Sequence, residues 1–411
     1  MSLKEEYAQR MKSAFAKTTY GRWLAGEGVP TYEGFAVGED VATLDVGPWA
    51  RIGGNAVFLN LYPLMEGVRG SYVAEIPPGA ALEPERHLYE KIVVVLAGHG
   101  TTEVWQEGDA HKHVFEWGRG SVFAPPLNVW HRMYNLGNTP ARFIAVTNAP
   151  MMMNGFRNTE FIFNCPFGFR DRYDGSENYF AQTGNRYRSS TSRTGTNIWE
   201  TNFIHDAFGA DLSDNEVKGR GDRSAMFEMS GNSLIGHIAQ WPVGCYHKAH
   251  FHGAGALLMG LRSEGYVLLW PKALGLQPYA AGRGDDVVEV AWGKGTLYAP
   301  PDGWFHQHFN TGNEAARHLA FRHGSRLAGP GFDSLARRDA DPEWNPQHVS
   351  VTAGGALLDY EDEDPEIRRR YREALQRNGV ECQMPDELYL PGPASAPFQP
   401  GLQALLAGGG D

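Results

Sequence analysis

Residues 295–310 read GTLYAPPDGWFHQHFN, and residues 244–252 read GCYHKAHFH. In the shorter stretch His250 and His252 are two apart, so on a strand both imidazoles point to the same face. In the longer stretch Pro301 and Gly303 fit a tight connection, and His306 falls on the strand that follows it. Three neutral imidazole nitrogens converging from two strands suit Fe, Zn, Ni or Cu and leave coordination positions open for a substrate. The same parity turns Lys248 and His308 inward, each two residues from a candidate ligand. Lys248 is then placed to meet a substrate carboxylate, and His308 to act as an acid or base or to support the ligands. His247 has the opposite parity and reads as structural.

Working outward, both stretches have an earlier copy. Setting Gly79 on Gly244 also sets His87 on His252 and Trp105 on Trp270 without a gap. Residues Trp117–Arg142 match Trp292–Arg317 at 12 of 26 positions, at an offset of 175 instead of 165, so the second copy carries an insertion of ten residues. Short apolar runs such as IVVVL and YVLLW, punctuated by GRGS, NLGN, GKGT and NTGN, read as many short strands in an antiparallel sandwich or barrel. The chain therefore divides into an N-terminal helical arm (1–50), a first barrel (51–150), a connection (151–220), a second barrel (221–325) and a C-terminal extension (326–411). A capping box at Ser2 and Glu5 opens a helix over 3–24. Asp364-Pro365 and Gly379 bracket another near the end. The Pro/Gly/Ala-rich tail after Leu390 is expected to wrap or fray.

The bulk properties exclude some classes. A net charge of -11 opposes nucleic-acid binding, which needs a basic surface. The 3 cysteines, Cys165, Cys245 and Cys382, are too dispersed for a disulfide framework. The charged start MSLKEEYAQRMK lacks the apolar core of a signal peptide, and no apolar run approaches the ~20 residues of a membrane span. A cytoplasmic protein with no membrane partner is the expectation.

The two stretches resemble the paired motifs of the cupin superfamily, G-x5-H-x-H and G-x5-P-x-G-x2-H-x3-N. The resemblance covers both copies. It implies an all-β-dominated bicupin of two tandem jelly-roll barrels with short terminal helices, with one divalent metal per chain on His250, His252 and His306. The carboxylate ligand that such sequences usually add shortly after the second histidine is missing, because Ala256 and Leu257 stand there. The metal then keeps its full charge, which favours an anionic chelating substrate. In the first copy Glu85, His87 and His131 hold the three ligand positions. Lys91 replaces the usual carboxylate, so a Lys91–Glu85 ion pair is expected where a metal would lie.

In architecture the chain is similar to the gentisate dioxygenase type. That resemblance implies a non-haem Fe(II) dioxygenase acting on a small anionic, oxygen-rich or aromatic acid, with Lys248 and His308 as the catalytic helpers and dioxygen as co-substrate. A Zn-, Mn- or Ni-dependent isomerase, lyase or decarboxylase is the alternative, and a non-catalytic small-molecule binder is a third reading. The long arms predict a homodimer.

Overall fold

The computed structural model describes residues 2–109, 111–181, 184–188, 197–253, 256–324 and 348–391. The tail beyond residue 391, with its expected wrapping or fraying, lies outside them. Each copy builds two facing sheets. In the first, Gly54–Leu61, Gly70–Ile76, Ala141–Thr147, Lys91–Ala97 and Val122–Phe123 form one wall, and Trp130–Asn135, His99–Trp105 and His113–Gly118 form the other. The second copy repeats this order with Arg223–Glu228, Leu234–Trp241, Ala316–His323, Leu257–Arg262 and Leu297–Tyr298 facing Trp304–Asn310, Gly265–Pro271 and Val288–Trp292. Two jelly-roll barrels in tandem result.

The apolar runs follow from how the barrels meet. Val93 and Val95 turn into their own barrel beside Phe123 and Phe143. Ile92 and Val94 turn the other way, into a shared core with Leu257, Met259, Leu319 and Phe321 of the second barrel. With both faces buried, these strands have no polar side to alternate with.

The segments outside the barrels are woven into them. Within the first fifty residues, Thr31–Gly34 runs parallel to Gly54–Leu61, and Ala36–Val37 crosses to pair with Leu297–Tyr298 of the second barrel. The connection does the reverse. Asn197–Glu200 runs parallel to Arg223–Glu228, while Phe203–Ile204 pairs back onto Val122–Phe123 of the first barrel. The N-terminal helix is two helices, Leu3–Phe15 and Thr19–Gly26, because the Thr18 side chain accepts from the Gly21 N–H and starts a new cap. The C-terminal helix, Pro365–Asn378, runs from the Asp364 cap to Gly379 in the left-handed region. Among the described residues no helix is long and apolar enough to cross a membrane.

Candidate metal centre

Gly244 has φ +68, and a Cβ there would meet the Glu381 carbonyl at 2.2 Å, so the first glycine of the motif is required by close backbone packing. From it the chain runs past the strand that carries His306. His306 and His250 exchange backbone hydrogen bonds of 2.9 and 3.1 Å, but the next bond joins the His247 N–H to the His308 carbonyl at 3.0 Å. Gln307 on one strand thus faces both Lys248 and Ala249 on the other, which is a β-bulge. Beyond the bulge the parity is reversed.

This corrects two expectations. Lys248 leaves the cavity side, and its Nζ lies 2.7 Å from Asp359 Oδ1 on the C-terminal extension. His247, expected to be structural, lines the cavity instead, with Nε2 at 3.1 Å from Asp222 Oδ2. His308 does turn inward, buried, with Nδ1 2.9 Å from the Tyr298 hydroxyl.

The structure brings His250, His252 and His306 together, with one ring nitrogen of each within 4.8 Å of the others. Each ring is fixed by a bond from Nδ1–H to a backbone carbonyl. His250 donates to Lys248 at 3.3 Å, His252 to Gly253 at 3.3 Å and His306 to Trp304 at 3.2 Å. That sets the tautomer and turns each Nε2 lone pair toward the cluster, where His250 Nε2 accepts from Lys218 Nζ at 2.9 Å, a bond a metal would displace. Burial, with Lys218 adding to it, brings His306 down to about 3, and burial holds His250 and His252 well below the usual histidine range. All three are neutral at pH 7, the form that binds metal. Donor set, tautomers and charge state fit a divalent ion.

Beside them lies a cavity of about 100 Å³. His237, His247, His252, His308, His318 and His348 line it together with Lys218, Asp222 and Arg322. Lys218 Nζ donates to His250 Nε2 at 2.9 Å, and burial lowers this lysine to about 8, with Arg322 contributing. The surface that Lys218 retains faces this cavity. The Tyr298 hydroxyl lies 2.9 Å from Nδ1 of both His308 and His318, so it donates to one and accepts from the other. Sequence reading missed Lys218, Asp222, Tyr298 and His318, yet the repeat held a signal for part of this set. Tyr298, His308, His318 and His247 occupy the positions of Phe123, Met133, Phe143 and Leu82, all buried apolar side chains in the first barrel. One copy fills its interior with hydrocarbon and the other lines it with imidazole and phenol.

In the first barrel Glu85, His87 and His131 also converge within 4.8 Å. The Lys91 ammonium lies 2.5 Å from Glu85 Oε1, with none of its side chain accessible, and His131 Nε2 lies 3.3 Å from the same oxygen. Burial opposes the Glu85 charge, but Lys91, His131 and His87 together hold its carboxyl well below the usual range. His87 donates from Nδ1 to the Tyr89 carbonyl at 2.8 Å and stacks on that ring.

The family model described as a cupin domain matches residues 72–147. The first copy is therefore a cupin domain. The second repeats its strand order and motif spacing, which makes the chain a bicupin. Similar solved structures include a Bacillus subtilis oxalate decarboxylase variant, with 10% identity over 74% of this chain and 84% of that one at a TM-score of 0.45. Another is the Lactobacillus farciminis oxalate decarboxylase formate complex, with 10% identity, 72% and 87% coverage and a TM-score of 0.44. Likeness of this extent bears on neither substrate nor metal. No curated protein matches the chain.

Proposed function

We propose that the second barrel is a metal-dependent enzyme site, with one divalent ion on His250, His252 and His306 and a small anion as substrate in the adjoining cavity. The observation that carries this reading is the interior of the second barrel, polar where the first is filled with Phe123, Met133 and Phe143. Such a polar interior costs stability unless function uses it. A bound ion would supply Lewis-acid polarisation and, as Fe(II), one-electron chemistry with dioxygen.

The protein's own groups do the rest. Lys218 and Arg322 make the cavity attractive to an anion. Tyr298 holds a proton between His308 and His318, and Asp222 orients His247. Three neutral ligands leave the metal's charge for a chelating acid to neutralise, which favours Fe(II) dioxygenation. A redox-neutral lyase, isomerase or decarboxylase with Mn, Zn or Ni is the second reading, favoured by this buried acid–base set beside the ligands.

Elemental analysis of protein purified without chelators or metal-affinity resin should find close to one metal per chain. His306→Ala should remove most of it, and unchanged metal content in that variant would refute the site. Iron with one dioxygen consumed per turnover supports dioxygenation. Equal anaerobic turnover on Mn or Zn supports the redox-neutral chemistry.

A further inference from the structure

We infer that Lys218 anchors a carboxylate of the substrate, a chelating acid. This rests on the metal-site reading above and names its substrate class. Lys218 comes from the connection between the barrels, outside both repeated motifs. Its carbonyl accepts from the Lys248 N–H at 2.6 Å, which ties its backbone to the ligand-bearing segment. Among the described residues no carboxylate lies within ion-pair distance of its ammonium. Asp222, the acid on the same cavity wall, is engaged with His247 at 3.1 Å. The hydrogen bond that Nζ makes is to His250 Nε2, so the cation stands at the ligand cluster itself. A cation held in a cavity with no carboxylate in contact is completed by an anion. An acid chelating at the three histidines brings its carboxylate within reach of Nζ, and Arg322 adds a second positive group on the same wall.

The first barrel supplies the contrast. There a lysine also stands at the triad, but Lys91 meets Glu85 and the charge is settled internally. In the second barrel no protein carboxylate contacts the lysine, and the substrate takes that place.

Glycolate, a carboxylate with a neighbouring hydroxyl, carries the chelating pair such a site would take.

The test is calorimetric titration of glycolate into full-length protein loaded with Zn(II), with metal content measured in every sample. Glycolate should bind, and Lys218→Met should weaken it at least tenfold at unchanged metal content. Lys218→Arg should restore part of the affinity. Equal glycolate affinity in Lys218→Met at equal metal content would overturn the anchor. Protein that takes up no metal yet binds glycolate through Lys218 would uphold the anchor and overturn the metal reading.

Discussion

Lys91 is one of the largest fully buried side chains in the molecule, and its ammonium rests against Glu85 where the second barrel gathers its histidines. Removing one member of a buried pair strands the other, at a cost of about 3–5 kcal/mol. Lys91→Met should therefore lower the melting temperature, and adding Glu85→Gln should recover part of the loss; equal melting of the single and double variants would argue against the pair. The pH dependence has a definite sign. The Glu85 carboxyl is held below its ordinary value of 4.5, so its contribution is complete above that pH and fades as the folded carboxyl takes up a proton in stronger acid. In Lys91→Met the stranded carboxylate should prefer its proton, and that variant should instead gain stability as pH falls toward 4.5.

At the scale of the element, the bulge over Lys248 and Ala249 decides which side chains reach the cavity, and the C-terminal extension locks it in place. Leu358 N–H bonds to the Ala249 carbonyl at 2.7 Å. Glu363 accepts from the Tyr246 hydroxyl at 2.7 Å and from Gln307 Nε2 at 2.5 Å, clasping the bulged segment to the strand of His306. Burial raises this carboxyl to about 7 against the pull of those two bonds. Its folded value exceeds the ordinary 4.5, so the unfolded chain releases the proton first and stability should fall as pH rises from 4.5 to 7. Glu363→Gln should flatten that slope in thermal melts across the interval, and an unchanged slope would show that Glu363 is not its source. The bulge also marks where the sequence stops being legible. The paired copies and the gathering of His250, His252 and His306 followed from spacing, and the jelly-roll class from the motif resemblance that this spacing carries, because spacing survives a local change of register. The side that Lys248 and His247 face did not, because one extra residue reverses parity and a single sequence carries no mark of where it enters. Lys218 was invisible for another reason: it reaches the cavity from a segment with no counterpart motif, through tertiary packing alone.

For the whole molecule, the governing feature is the reciprocal crossing of Ala36–Val37 and Phe203–Ile204. The arms whose length led to the expectation of a homodimer contribute strands within the chain. Val37 is fully buried in the core shared by the barrels, so a charge there destabilises a domain more than 180 residues further along. Val37→Asp should lower the melting temperature and lessen hydrogen-exchange protection in Leu257–Arg262 and Leu297–Tyr298, strands of the second barrel. Full protection in both strands would show that the crossing strand is dispensable. The crossing also sets a timetable for synthesis. The first barrel's edge at Val122–Phe123 stays open until Phe203–Ile204 leaves the ribosome, and Ala36–Val37 waits for Leu297–Tyr298, about 260 residues later. At about 5–20 residues per second, that is on the order of ten to fifty seconds. During this interval the nascent chain carries an unpaired edge and half of an apolar face, which makes the polysome the place where this protein is most exposed to chaperones and to aggregation.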